Sequence, residues 1–202
     1  MVSMLYKRNQ LEDAISSLVE PTARQPSAGL RTRTKRLFET DRAFGRSSRA
    51  SDSALLQYAF FSEDPPGRGV EIQFSPYEAF ALLIAIHLVA HGWALNVVVA
   101  IMRQARKELE NHHARILKSP SYCKADFESR TPLLVVITSS DIDGAEEAFA
   151  CSVREGYRKA MQWTWELQGP GHGVSMFELA SHAQNLANAL ARSEPRHRGQ
   201  QS

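Results

Sequence analysis

The sequence predicts an α+β protein with a mainly helical first part and a small antiparallel β-sheet in its second part. Apolar residues recur at helical spacing through most of the first 118 residues. Residues 70–74 interrupt them with the strict alternation of a half-buried strand. After the proline-containing segment 119–132, short alternating apolar runs replace the helical period. We therefore expect a helical domain at 1–118, a linker at 119–132, a small β-sheet-plus-helix domain at 133–192 and a disordered basic tail at 193–202.

The composition of the 202-residue chain is that of an ordinary globular protein, with 43% hydrophobic and 23% charged residues. Its two cysteines, Cys123 and Cys151, lack the short spacing of a metal site, which is typical of a reducing cytoplasm. The longest apolar run, Ala79 to Ala90, is shorter than the ~20 residues that span a bilayer, and the N-terminus shows no signal pattern. We expect a cytoplasmic protein with no membrane partner.

Basic residues are concentrated near the N-terminus. Residues 1–50 contain ten Lys or Arg and five Asp or Glu, a formal charge of +5. The rest of the chain contains 14 basic and 17 acidic residues, a formal charge of −3. The N-terminal quarter is therefore the candidate surface for a polyanionic partner.

Two helices are predicted in this basic region. The first runs from Lys7 to Val19, and the second from Gly29 to Phe44 with Ser27 as a possible cap. At ~100° per residue, Arg31, Lys35 and Arg42 gather on one side of the second helix, whereas Arg33 and Arg36 point elsewhere. A basic flank on a helix that follows a helix and a short connector is compatible with the recognition element of a helix-turn-helix. The alternative is a solvated basic face on an ordinary helix.

A β-hairpin followed by a buried helix is predicted in the middle of the chain. Its strands would be Tyr58–Phe61 and Val70–Phe74, joined by a turn-rich loop with Arg68 between two glycines. Ser75, Pro76 and Glu78 then form a capping box that starts a helix, and Gly92 is placed to end it. This order indicates the wing of a winged helix-turn-helix.

A second long helix is predicted from about Leu95 to Leu117. Its first half carries an apolar stripe and its second half is charged. This change predicts that the helix leaves the core, either to pair with a second copy or to bridge to the next domain.

The C-terminal region is predicted to form strands and one helix. Short runs at Leu133–Ile137, Phe149–Val153 and Met161–Leu167 read as strands, although Glu146 to Leu167 could instead be one helix. A capping box at Ser175–Glu178 predicts a last helix to about Ala191. The tryptophan pair Trp163 and Trp165 would line one strand face, as sheet core or as a ligand or partner surface.

No cluster of residues reaches the strength of a catalytic or metal-binding motif. His87 and His91 have a spacing that zinc sites use, but neither a third ligand nor the glutamate of a metalloprotease accompanies them. A Cys151–His172 nucleophile pair is conceivable from residue type alone. The glycine-rich loop at 169–173 is not a Walker loop. We expect a protein without catalytic residues, metal or cofactor, and not an enzyme.

The order of these elements resembles the DNA-binding domain of the MerR-type transcription regulators. The similarity is carried by Gly67-Arg68-Gly69, Val70–Phe74, Tyr77-Glu78-Ala79 and the junction from His91 to Leu95. It implies that the second helix enters the major groove, that the wing arginine reaches the DNA backbone and that a later long helix forms an antiparallel dimer contact. The chain departs from that family by a longer linker at Gly45–Ala54, by the lack of an Arg-Tyr pair and by the lack of effector cysteines.

The expected function is that of a sequence-specific, homodimeric transcription regulator that binds double-stranded DNA. The expected DNA contacts are Arg31, Arg33, Lys35, Arg36, Arg42 and Arg68. The C-terminal domain would bind a ligand or a protein partner. The alternatives are a phage-like excision or architectural factor that bends DNA, and a protein–protein adaptor that uses the C-terminal domain.

Overall fold

The computed structural model of the chain describes residues 5–47, 57–63, 70–119, 128, 130–139, 148–167 and 172–193. It shows an α+β protein with seven helices in the described part of the chain. In chain order the elements are β1 (Tyr6–Lys7), α1 (Arg8–Val19), α2 (Ala28–Ser47), β2 (Gln73–Phe74), α3 (Pro76–Ala90), α4 (Leu95–Gln104), α5 (Arg106–Lys118), β3 (Pro132–Ser139), β4 (Ala148–Glu155), α6 (Tyr157–Leu167), β5 (His172–Glu178) and α7 (Ala180–Arg192).

Helix α3 lies at the centre of the helical layer. It is apolar on all sides, and it packs against α2, α4, α5 and α7. Its predicted capping box is confirmed, because Glu78 N donates to Ser75 Oγ at 3.2 Å and Ser75 N donates to Glu78 Oε2 at 2.6 Å. Gly92 follows the helix with φ of +94°, a conformation that favours glycine. A helix that is apolar all round is stable only when neighbours cover every side, which is what the packing shows.

The sheet has the strand order β4-β3-β5, and both pairs are antiparallel. The central strand β3 is buried on both faces. Leu134 and Val136 pack into the helical core, whereas Leu133, Val135 and Ile137 pack with Ala160 of α6. Burial of both faces explains why residues 133–137 form a continuous apolar run rather than an alternating one.

The predicted pairing of the hairpin is wrong. Strand β2 pairs with β1 near the N-terminus, where Phe74 lies opposite Tyr6. Residues 58–61 form no strand, and Phe60 and Phe61 are buried in the core. The backbone of this segment is satisfied by side chains, since Asp41 accepts from the N–H groups of residues 59 and 60. The predicted hairpin tip, including Arg68, lies outside the described residues.

The predicted long helix is divided at Ala105 into α4 and α5. Its charged half does not leave the core, because Leu109, His113 and Ile116 are buried and α5 packs against α3, α7 and β4. Arg103 and Arg106 are also buried, each with hydrogen-bonding partners on other elements. The apolar stripe of the first half is covered within one chain by α2 and α3, and a dimer contact through this helix stays a prediction.

The third predicted strand is a helix. Residues 157–167 form α6, and the third strand of the sheet is β5. Ala160, Trp163 and Thr164 stand at positions i, i+3 and i+4, which lie on one face of a helix. This face packs on the sheet. The predicted capping box at Ser175 is also wrong, because Ser175 lies in β5. Helix α7 begins at Ala180, whose N–H donates to Glu178 Oε1 at 2.6 Å.

One hydrophobic cluster contains residues from both predicted domains, including Leu11, Leu83, Leu134 and Phe177. The division of the chain at 119–132 stays a prediction, because residues 120–127 and 129 lie outside the described part, as do residues 194–202 of the predicted tail. Among the described residues, no helix has both the length and the apolar character to cross a membrane.

Candidate nucleic-acid interface

The basic helix α2 is held in place by its apolar side. Leu30, Leu37 and Phe38 are buried. The ring of Phe38 stacks on Phe74 of β2, with 5.2 Å between ring centroids and 16° between ring planes. Ser27 caps the helix as predicted, because the N–H of Leu30 donates to Ser27 Oγ at 3.0 Å. The orientation of α2 therefore fixes which of its charged side chains face solvent.

A buried ion pair ties α2 to α4. Arg103 Nε donates to Asp41 Oδ1 at 2.7 Å, and both side chains are fully buried. The carboxylate of Asp41 also accepts from the N–H groups of Ala59 at 3.1 Å and Phe60 at 3.0 Å. The Arg103 guanidinium lies over the rings of Phe44 and Tyr58. A buried charge pair is tolerated only when its remaining hydrogen bonds are made, as they are here.

A second arginine, Arg106 at the start of α5, holds the same segment. Its Nη1 donates to the backbone oxygens of Tyr58 and Phe61, the latter at 2.9 Å. Its guanidinium also lies over the Tyr77 ring. None of Asp41, Arg103 and Arg106 was singled out from the sequence as structural. The sequence does contain a pattern that indicates the burial of Asp41, because this residue follows Thr34 by seven positions and Leu37 by four and so lies on the buried stripe of α2.

Four of the predicted DNA-contact residues make up an exposed group on the outer side of α2. At 100° per residue they spread over about 200°, with Arg31 and Lys35 towards one flank and Arg33 and Arg36 towards the other. Arg31, Arg33, Lys35 and Arg36 are all exposed. Within the described residues only Lys35 has a carboxylate within 4 Å, that of Glu39 at 3.8 Å. Hydrogen bonds from Ser27 lower the pKa of Glu20 in the α1–α2 connector, and Arg33 adds a smaller attraction. The group therefore keeps most of its positive charge available to solvent or a polyanion.

Arg42 is placed differently from these four residues. It is half-buried, and its guanidinium lies 5.3 Å from the centroid of the Phe61 ring. Its Nε is buried without a hydrogen-bond partner in the described part of the chain. Arg42 is thus partly used in packing and lies at the edge of the exposed basic group. Arg68 lies outside the described residues, so its place on this surface stays a prediction.

A groove of about 550 Å³ lies beside α2, between α1 and residues 70–74. Arg8, Lys35 and Arg42 contribute positive charge to its lining. Arg8 is neutralised by Glu12 at 2.8 Å, and Lys7 nearby by Glu71 at 3.1 Å. The groove is therefore nearly balanced in charge, so the exposed outer side of α2 is the better surface for a polyanion.

His87 is half-buried on α3, and His91 is the C-terminal cap of the same helix. His87 packs against His182 of α7, with 4.6 Å between ring centroids, whereas His91 Nδ1 donates to the carbonyl oxygen of His87. Burial, with smaller contributions from His182 and His91, lowers the pKa of His87 to about 4. Among the described residues, no three His, Cys, Asp or Glu side chains are grouped to hold a metal ion.

The candidate nucleophile Cys151 is a protonated thiol at neutral pH. Burial, together with the negative charge of Glu108, raises its pKa to about 12. A thiol in this environment is a poor nucleophile, because the thiolate is the reactive form. Its predicted partner His172 lies opposite Ser139 at the start of β5.

The two tryptophans of α6 have different environments. Trp163 is half-buried, and the Arg154 guanidinium lies 4.8 Å from its ring centroid. Trp165 is 71% exposed. The helix separates side chains that an alternating strand would have placed together, so the predicted shared face of the pair is wrong.

Comparison of the chain with protein-family models, with curated proteins and with solved structures finds no match. The resemblance to MerR-type regulators therefore stays a prediction based on the order of elements.

Proposed function

We propose that this protein binds double-stranded DNA through the basic outer side of α2 and acts as a transcription regulator. The observation that carries the proposal is the exposed group Arg31, Arg33, Lys35 and Arg36 on one rigid helix, with a single loose ion pair among the described residues. Guanidinium and ammonium groups in such an arrangement suit phosphate oxygens, and their positive charge attracts the duplex over a distance of about 10 Å at moderate salt.

The length and anchoring of α2 support this use. The helix has 20 residues, which corresponds to about 30 Å. Its buried side is fixed by aromatic packing and by the Asp41–Arg103 pair, so its basic side chains are presented from a rigid base. In this proposal all four residues contact the phosphate backbone of the DNA. Arg31 and Lys35 lie nearest the major groove of the DNA, and Arg42 lies at the edge of the contact.

The winged helix-turn-helix arrangement belongs to the proposal as well. Helix α1, the connector at 20–27 and α2 supply its first two helices. Residues 58–61 do not supply a strand of the wing, since they are held in the core by Asp41 and Arg106. The proposed DNA surface therefore depends on α2 rather than on a wing.

Fluorescence anisotropy with a labelled duplex of mixed sequence tests the proposal. We expect the variant with Arg31, Arg33, Lys35 and Arg36 all replaced by Ala to bind at least about tenfold more weakly. We also expect the slope of log K against log salt to become shallower by about 3.6, because each of the four phosphate contacts contributes about 0.9. A selection from random duplexes would then measure sequence preference.

The matched control replaces four exposed basic residues elsewhere, namely Lys107, Lys118, Arg130 and Lys159, by Ala. This variant has the same change in net charge. It should keep most of the affinity and the full salt slope. Equal losses in the two variants would show that net charge alone attracts the DNA, and the assignment to α2 would then be wrong.

A further inference from the structure

Helix α6 covers the outer face of the sheet and carries a partly exposed apolar stripe on its other side. Its inner side packs through Ala160, Trp163 and Thr164. On its outer side Tyr157, Met161 and Trp165 follow one another at intervals of four residues, so they form one stripe along the helix. Tyr157 is 43% exposed, Trp165 is 71% exposed and Met161 is half-buried. Two large aromatic side chains in a row on a helix are typical of an interaction surface rather than of a solvated face.

The charges beside this stripe are asymmetric along the helix. Arg158 lies near the N-terminal end and Glu166 near the C-terminal end. At 100° per residue both lie on the same flank of the stripe. A second α6 in antiparallel orientation would therefore place its acidic end beside the basic end of the first, whereas a parallel arrangement would place like charges together.

The apolar and charged patterns have the same centre. Tyr157 and Trp165 are each four residues from Met161, and Arg158 and Glu166 are each four residues from Gln162. These two centres are one residue, or about 1.5 Å, apart. A single two-fold axis can therefore satisfy both patterns, which a surface shaped for an unrelated partner would have no need to do.

We propose that α6 packs antiparallel against α6 of a second copy of this chain. Tyr157 then packs against the partner's Trp165, and Met161 packs against the partner's Met161. Arg158 pairs with the partner's Glu166. The two-fold axis produces the Tyr157–Trp165 contact and the Arg158–Glu166 pair twice each. The existing pair between Arg158 and Glu128 at 3.0 Å does not prevent this, since both side chains are largely exposed and such pairs contribute little.

The expected dimer is weak. Helix α6 has 11 residues and is about 16 Å long, so the contact buries less than the roughly 1,200 Å² of a standard interface. We therefore expect a dissociation constant in the micromolar range. This dimer is independent of the proposed binding of DNA, because α6 and α2 share no residue and the test below uses no DNA.

Sedimentation velocity of the full chain over a concentration series tests the proposal. We expect Trp165→Lys to raise the dissociation constant at least about tenfold. The control is Leu5→Lys, which changes an apolar residue that is 51% exposed outside α6 and should leave association unchanged. Circular dichroism verifies that both variants are folded.

A charge exchange distinguishes self-pairing from a general effect on the surface. We expect Arg158→Glu and Glu166→Arg each to weaken the dimer about tenfold, because the two-fold axis repeats every like-charge contact. The double variant Arg158→Glu with Glu166→Arg should restore association to within about twofold. A chain that stays monomeric at high concentration, or a double variant as weak as the single ones, would overturn the proposal.

Discussion

Replacing Asp41 by Asn removes the negative charge from the buried pair that joins α2 to α4. Three hydrogen bonds converge on this carboxylate, from Arg103 Nε and from two backbone N–H groups. An amide in its place has one acceptor oxygen, and its NH₂ group faces donors. The buried guanidinium of Arg103 then loses the charge of this carboxylate, and breaking a buried ion pair costs about 3–5 kcal/mol. Since domains of this size are stable by about 5–15 kcal/mol, the loss is large.

Urea unfolding followed by circular dichroism measures this loss, with an unchanged m-value as the sign that the native structure is retained. The control is Glu39→Gln on the same helix, where the pair with Lys35 at 3.8 Å is exposed and should contribute less than about 0.5 kcal/mol. Replacing both partners, as Asp41→Leu with Arg103→Met, should recover part of the stability, because no unpaired charge remains. A loss below about 1 kcal/mol for Asp41→Asn would refute the reasoning.

Two further predictions concern stability. Burial lowers the pKa of His113, which stacks on Phe80, to about 4 from 6.5. The unfolded chain therefore takes up the proton first as pH falls, and stability is lost between about pH 6.5 and pH 4. Urea unfolding gives the free energy of unfolding at pH 7 and at pH 5. From pH 7 to pH 5 this free energy should fall by about 2 kcal/mol more in the wild type than in His113→Leu, and equal decreases would contradict the prediction. Gly92 has φ of +94°, so Gly92→Ala should lower the free energy of unfolding by about 1 kcal/mol in the same assay at pH 7. Gly29 lies within α2, where an added Cβ would meet Ser27 Oγ at an ordinary 3.5 Å, so Gly29→Ala should raise the free energy of unfolding by about 0.5 kcal/mol. Stabilisation by Gly92→Ala would contradict the assigned conformation.

Helices α1, α2 and α3 could be predicted because the signals that define them are local. Ser27 and Ser75 cap within three residues, and Gly92 ends α3 within two. The buried strand β3 was also predicted from a short apolar run, and the half-buried strand β4 from the alternation of Phe149, Cys151 and Val153 with their neighbours. In each case the residues that decide the structure lie next to one another in the sequence.

The errors arose where two patterns overlap or where the partner is distant. In α6 the alternation of Met161, Trp163 and Trp165 is typical of a strand, but Ala160 and Thr164 add a helical face that alternation ignores. Arg103 is charged, so its position in the sequence indicated solvent. It is buried because Asp41, 62 residues earlier, supplies its counterion. Likewise β2 pairs with residues far towards the N-terminus rather than with the nearby segment 58–61.

Periodicity placed Arg31, Lys35 and Arg42 on one side of α2 and Arg33 and Arg36 elsewhere. In the structure Arg31, Arg33, Lys35 and Arg36 are exposed, whereas Arg42 is half-buried. What periodicity could not supply was the state of Arg42, whose packing depends on Phe61. Nor could it supply the neutralisation of Arg8 in the groove. Both depend on contacts that only the three-dimensional arrangement provides.

The packing of α7 has a consequence for synthesis on the ribosome. This helix covers apolar sides of α1, α3 and α5, and Gln10 Nε2 donates to the carbonyl oxygen of Ser193 across 183 positions. Translation exposes α1 long before α7 emerges from the exit tunnel. Until α7 has been made, the sides of the early helices that it covers stay exposed to solvent, so this part of the hydrophobic core closes only after α7 has been synthesised.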